Sequence, residues 1–177
     1  MTRFGGTAFF IDRSDINTDE IIPAKYLTEI TKQALKPHLL EDLHLEQADF
    51  ANHSPAMQEA SVLVTRSNFG CGSSREHAVW ALEVNGFNTV VAESFARIFR
   101  QNMFNCGILA IELPAADIDS LFAMADAGRV AVSIDLEKEE WTASGPGGEQ
   151  HVAFRLNPFD RELVAAGGWL EYADQKY

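Results

Sequence analysis

The feature that most constrains this fold is a run of two patterns joined by glycines. Ala60-Ser61-Val62-Leu63-Val64-Thr65 is short, apolar and rich in β-branched side chains, and Ala78 to Val84 places apolar residues at helical spacing. Between them lies Asn68-Phe69-Gly70-Cys71-Gly72-Ser73-Ser74-Arg75-Glu76-His77. A buried strand that passes through a glycine-rich turn into a helix is the repeating unit of an α/β sheet. Such a turn aims unpaired backbone N–H groups and the positive end of the helix dipole at whatever lies above it, which favours an anion. Ser73-Ser74-Arg75-Glu76 also satisfies a capping box, with Ser73 as cap and Glu76 reaching back to its amide. The segment holds more than a cap requires: two glycines around Cys71, a second serine and an arginine. Glycines at both places imply torsions closed to other residues, or close approach of a ligand to the main chain.

The same alternation continues along the chain. Thr7 to Ile11 reads as a first strand, followed by the turn-rich run Asp12 to Asp19. A short helical piece starts at Pro23, and Thr31 to Leu43 is helical with a break at Pro37. Asp49 to Pro55 reads as a connection. Asn88 to Ala92 is a strand, Ser94 a cap for a helix from Phe95 to Asn105, and Gly107 that helix's end. Ile108 to Leu113 is a strand, Asp117 to Ala127 a helix and Val130 to Leu136 a strand with one solvated face. Glu140-Trp141-Thr142 and Val152 to Arg155 flank a Gly-Pro-Gly-Gly hairpin turn, and Asn157-Pro158 opens a C-terminal helix. No linker or internal repeat divides residues 1–177, so one domain is expected.

Composition narrows the function. A net charge of −12 with dispersed acidic residues argues against nucleic-acid binding. No apolar stretch approaches the ~20 residues of a membrane span. Met1 to Gly6 lacks the pattern of a secretion signal, so a cytoplasmic location is expected. Cys71 and Cys106 are isolated, with no C-x-x-C pair, so metal or cluster binding by this chain alone is not expected. Arg66, Arg75, Arg97 and Arg100 fall near strand ends and helix starts, where they could line a cationic pocket on an acidic protein.

Three segments in order, Asp15 to Leu27, Asn68 to His77, and Ser94 to Phe99 with Asn102 and Asn105, resemble the small subunit of 3-isopropylmalate dehydratase, the swivel domain of the aconitase superfamily as a separate chain. The resemblance covers the chain to about Leu113. It implies an α/β fold of three layers, β/β/α. It implies no cofactor on this chain and a heteromeric partner, a large subunit bearing a [4Fe-4S] cluster over which the small subunit closes. The reaction implied is dehydration and rehydration of a 2-hydroxy dicarboxylate in leucine biosynthesis. Ser73 takes the place of the catalytic serine, Ser74 lies beside it and Arg75 pairs with a substrate carboxylate. Lys25, Tyr26, Leu27 and Thr28 occupy the place of the substrate-discriminating loop; Leu27 suits an isopropyl group, and Lys25 and Lys32 leave a third carboxylate open, as in homoaconitate.

Other residues have plainer readings. Arg13 reads as an exposed turn arginine, with contact to a substrate carboxylate as its alternative, His77 as a buried histidine bonded to a neighbouring loop, Glu76 as a cap, and Cys71 and Cys106 as small packing residues. Arg97 and Arg100 fit partner contacts, the site or plain solvent exposure. Two competing functions remain: a thiol hydrolase using Cys71, and a non-catalytic anion-binding regulatory module.

Overall fold

The computed structural model of the protein describes residues 4–45, 50 and 52–177. Met1 to Arg3, and the part of the expected 49–55 connection formed by Asp49 and Ala51, lie outside the described residues. Strands β1 (Gly5–Phe10), β2 (Val62–Val64), β3 (Thr89–Ala92) and β4 (Leu109–Glu112) run parallel, each beside its predecessor. Their side chains read as nearly continuous apolar runs because both faces of β2 and β3 are buried. On the other side of β1, β5 (Ala131–Asp135), β6 (Glu140–Gly145) and β7 (Gly148–Ala153) extend the sheet antiparallel, giving the order β4-β3-β2-β1-β5-β6-β7. The two halves therefore share β1, and hydrogen bonding continues across all seven strands. β5 alternates between buried and exposed positions, as its sequence implies.

Helices connect the parallel strands. α1 (Thr18–Ile21), α2 (Lys32–Leu35) and α3 (Pro55–Glu59) lie between β1 and β2. α4 (Glu76–Val84) follows β2 and α5 (Arg97–Asn105) follows β3. α6 (Ala115–Ala127) precedes β5, and α7 (Pro158–Ala166) and α8 (Trp169–Lys176) end the chain. The expected piece at Pro23 is a single 3-10 turn, Ala24–Tyr26, and Pro37 ends α2 in a second one, Lys36–His38. The sequence reading missed α3, which Ser54 caps by accepting from the Met57 amide. It also ran α7 and α8 together; Gly167, in the left-handed region at φ 102°, separates them.

One core joins these elements. Trp141 is fully buried, and its Nε1–H donates to Gln150 Oε1 at 3.1 Å, while Gln150 Nε2 donates to the Asp117 carbonyl of α6 at 3.0 Å. A ring and a satisfied polar bridge thus clamp the β6–β7 hairpin to α6. Trp141→Ala leaves a large cavity and an unpaired amide, and is expected to lower unfolding stability by about 3–5 kcal/mol in urea titration.

Candidate active site

In a parallel sheet, ligands bind beyond the carboxyl ends of the strands. The loops that leave β1, β2 and β3 at those ends are residues 11–17, 65–75 and 93–96, and these contain or adjoin the three motif segments. They continue the ladder past the strands. The Asp15 amide donates to the Ser67 carbonyl at 2.9 Å, Gly70 to Ile16 at 2.8 Å, Phe69 to Ser94 at 3.1 Å and Ala96 to Phe69 at 3.0 Å. Segments far apart in sequence thereby become neighbours at one edge.

The middle loop owes its path to its glycines. Gly70 has φ +84°, and a Cβ there would stand 2.2 Å from the Phe99 ring; Gly72 has φ +91° with ordinary space around it. At Gly70 both torsion and close approach exclude a side chain, and the approaching group is Phe99 of α5. At Gly72 torsion alone does so.

Ser73 does not cap a helix. α4 begins at Glu76 with Arg75 as its N-cap and no side-chain cap bond, so neither Ser73 nor Glu76 plays the capping role their spacing suggests. The Ser73 carbonyl is held instead by Thr18 Oγ1 at 2.7 Å, and the Thr18 amide bonds the Cys71 carbonyl at 2.9 Å. The capping box that does form is Asn17–Glu20 at α1: the Glu20 amide donates to Asn17 Oδ1 at 2.9 Å, and the Asn17 amide to Glu20 Oε1 at 3.3 Å. Ser94 likewise caps nothing, its Oγ accepting from the Asn68 amide at 2.8 Å.

Ser73 and Ser74 are exposed. Among the described residues the Ser73 hydroxyl makes no hydrogen bond, and no amide from Gly72 to Arg75 donates one. Ser74 Oγ accepts from Asn102 Nδ2 of α5 at 3.1 Å. A cleft of ≈ 280 Å³ opens beside them, lined by Gly70, Gly72, Ser74, Ala96, Arg97 and Ile98, with Phe99 behind. Lys25, Tyr26, Leu27 and Thr28 do not line it. Tyr26 stacks on His38 with ring centroids 3.8 Å apart, and Lys25 Nζ lies 5.2 Å from the Tyr26 ring.

The arginines divide sharply. Arg75 is paired with Asp19 of α1. Arg13 forms a two-pronged pair with Glu20, Arg66 bridges Asp12 and Asp119, and Arg100 reaches Glu112 while donating to the Ala110 carbonyl at 3.0 Å. Arg13 is thus a structural clamp and Arg100 a packing cation. Arg129 and Arg161 are also paired. Among the described arginines only Arg97 and Arg155 have no carboxylate partner, and Arg97 lies in the cleft. The motif residues Thr18, Asp19 and Asn102 were visible in the sequence; their roles as props of Ser73, Arg75 and Ser74 were not.

His77 bonds a neighbouring loop, as expected, its Nε2 lying 3.0 Å from the Glu29 carbonyl, but the ring is half-exposed and not buried. Burial, then Asp15, pushes the Cys71 thiol up, the reverse of what a nucleophile needs. Burial, then Glu76, pushes Cys106 up to about 12. No group of three or more His, Cys, Asp or Glu side chains suited to a metal ion occurs among the described residues, and none of their helices is long and apolar enough to cross a membrane.

Comparison with known proteins bears on this arrangement. The family described as Aconitase C-terminal domain matches residues 2–116. A 3-isopropylmalate dehydratase small subunit from Aromatoleum aromaticum is 37% identical over 184 aligned positions, covering 96% of this chain and 84% of that protein. A crystal structure of 3-isopropylmalate dehydratase from Methanocaldococcus jannaschii superposes with a TM-score of 0.77 at 30% identity, covering 99% of this chain and 95% of that one. The structural likeness thus includes the C-terminal third, where the sequence motifs stop.

Two thiol predictions follow from burial. Alkylation of Cys71 by a neutral reagent is expected to stay slow at neutral pH and to rise only above the ordinary thiol range. Cys106 in the folded chain holds its proton more tightly than the unfolded chain does, so its contribution to stability is intact below the ordinary value of 9.0 and is lost as pH climbs towards about 12. Urea titrations across the alkaline range should show that loss, and Cys106→Ala should flatten it.

Proposed function

The chain belongs to the aconitase C-terminal domain family, in its 3-isopropylmalate dehydratase small-subunit branch, and from that premise we propose how residues 1–177 work as one swivel unit. The protein is the small subunit of a hydro-lyase that interconverts 2-isopropylmalate and 3-isopropylmalate through an unsaturated dicarboxylate. The observation that carries the proposal is the gathering of all three motif segments at one sheet edge, with the Ser73 hydroxyl exposed and uncommitted there.

Ser73 Oγ, as an alkoxide, takes the proton from carbon while hydroxide leaves the adjacent carbon; the reverse addition returns water with the two positions exchanged. A serine needs strong help to act so. A helix N-terminus favours a negative charge by about 0.3–2 kcal/mol, whereas one cation 4 Å away at an effective dielectric of 20 gives about 4 kcal/mol. The cation wins that comparison, but Asp19 offsets the charge of Arg75. The activating field therefore comes from Arg97 in the cleft and from cations of the partner. Held by Asp19 through Nη1, Arg75 keeps its other N–H groups for a substrate carboxylate. Ser74, fixed by Asn102, binds substrate beside it. Lys25, Tyr26, Leu27 and Thr28 read the substituent once the partner has closed the site.

Cys71 and Cys106 do not form a cluster ligand set: Cys71 sits in the bridge to Asn17, and Cys106 lies against Glu76 at the end of α5. The cluster belongs to a separate large subunit in a cytoplasmic heterodimer or larger assembly. When bound there, it supplies the Lewis acid for the departing hydroxide. This fits a small-subunit surface whose cleft is open.

Anaerobic co-expression with a cluster-bearing large subunit, read by the ultraviolet absorbance of the unsaturated product, tests the proposal. Ser73→Ala is expected to abolish turnover with the complex intact. Arg75→Lys, which loses the planar donor fork, is expected to raise KM by about tenfold. A cluster-loaded wild-type complex inactive on isopropylmalate but active on homoaconitate would reassign the substrate. Inactivity on both, with tight anion binding by the isolated chain, would favour a regulatory module.

A further inference from the structure

The segment from α1 to the loop before α2 stands on the Ser73–His77 pentapeptide at both ends. At its start, Thr18 Oγ1 bonds the Ser73 carbonyl at 2.7 Å and Asp19 pairs with Arg75. At its far end, the Glu29 carbonyl receives a bond from His77 Nε2 at 3.0 Å. A carbonyl can only accept, so Nε2 carries the hydrogen. Behind the imidazole stands Trp80, one turn along α4, with ring centroids 4.6 Å apart. Between these feet lie Lys25 to Thr28, which do not line the cleft but are joined through the feet to residues 73, 75 and 77, the neighbours in sequence of its Ser74.

From this we infer that His77 is a positioning residue that holds the far end of the 25–28 loop in place relative to the Ser73 segment. The inference rests on the reading of those four residues as the substrate-discriminating loop. The starting foot is doubly bonded and includes a buried hydroxyl, Thr18, so it is fixed. Tyr26, stacked on His38 and packed against the core, holds the middle, whereas the far foot is a single hydrogen bond to a half-exposed ring, next to the exposed Ile30. Releasing it would loosen Leu27 to Ile30, the part of the loop beyond the Tyr26–His38 stack, without disturbing Ser73, Ser74 or Arg75. The cost would then fall on recognition of the substituent and not on proton transfer.

The experiment compares wild type, His77→Ala and His77→Gln, each co-purified with the cluster-bearing large subunit and also as isolated chains. In the complex, His77→Ala is expected to raise KM for isopropylmalate about fivefold or more with kcat within about twofold, and His77→Gln, whose amide can donate to the same carbonyl, to recover most of that loss. In the isolated chains, hydrogen exchange of the loop amides beyond that stack that bond within the loop, Leu27 and Glu29, should quicken by about tenfold in His77→Ala while α4 stays protected. A fall in kcat at constant KM would overturn the inference, placing His77 in the chemistry at Ser73. Unchanged exchange in His77→Ala would overturn it as well. An inactive wild-type complex would instead sink the functional reading, and the exchange arm would still decide whether His77 holds the loop.

Discussion

The parallel hydrogen-bonded register of β1, β2 and β3 is the constraint on which the rest depends. Three strands in step release three loops at one level, and amide-to-carbonyl bonds from Asp15, Phe69, Gly70 and Ala96 keep those loops in step for several residues more. Ser73 owes its position to this extension and not to a helix. Its peptide is held from below by Thr18, so the hydroxyl faces outward from a backbone that is already fixed. Preorganisation of this kind costs nothing further when a substrate arrives.

Electrostatics completes the picture. The chain is strongly acidic, and its carboxylates have engaged most of the described arginines. Arg97 is the described cation of the cleft that no carboxylate claims, and the first turn of α5, which it begins, holds no acidic residue. Ile98, exposed beside it, gives the same rim an apolar element that a covering partner can bury.

Much of this was legible in the sequence. The parallel strands, β5 and the longer helices follow from apolar spacing, because burial against one core is what that spacing encodes. The β6–β7 hairpin is marked instead by its Gly-Pro-Gly-Gly turn, and β7, placed at Val152 to Arg155, runs from Gly148 to Ala153 because its exposed polar residues carry no such spacing. Asn157 was legible too: it caps α7 by accepting from the Phe159 amide, a bond reaching only two residues. The failures concern choices made at long range. Ser73 and Ser94 both stand where a cap belongs, yet the Ser73 peptide is pulled into the layer beneath it by Thr18, 55 positions earlier, and Ser94 Oγ is taken by the Asn68 amide, 26 positions earlier. Arg75 invites a carboxylate, and no local rule says that Asp19 provides one. The same limit applied to Arg13, Arg97 and Arg100, alike in sequence and sorted only by which acids the fold brings near.

β1 is bonded on both sides, to β2 and to β5, although the family match ends at residue 116 and so stops short of β5. A chain cut at that point would keep the whole set of motif residues and lose β5 to β7. Its central strand would become an outer one, presenting a row of unsatisfied amides and carbonyls to any passing chain. The conserved-looking half is therefore no transplantable module: the unremarkable half is what keeps its middle from becoming a sticky margin.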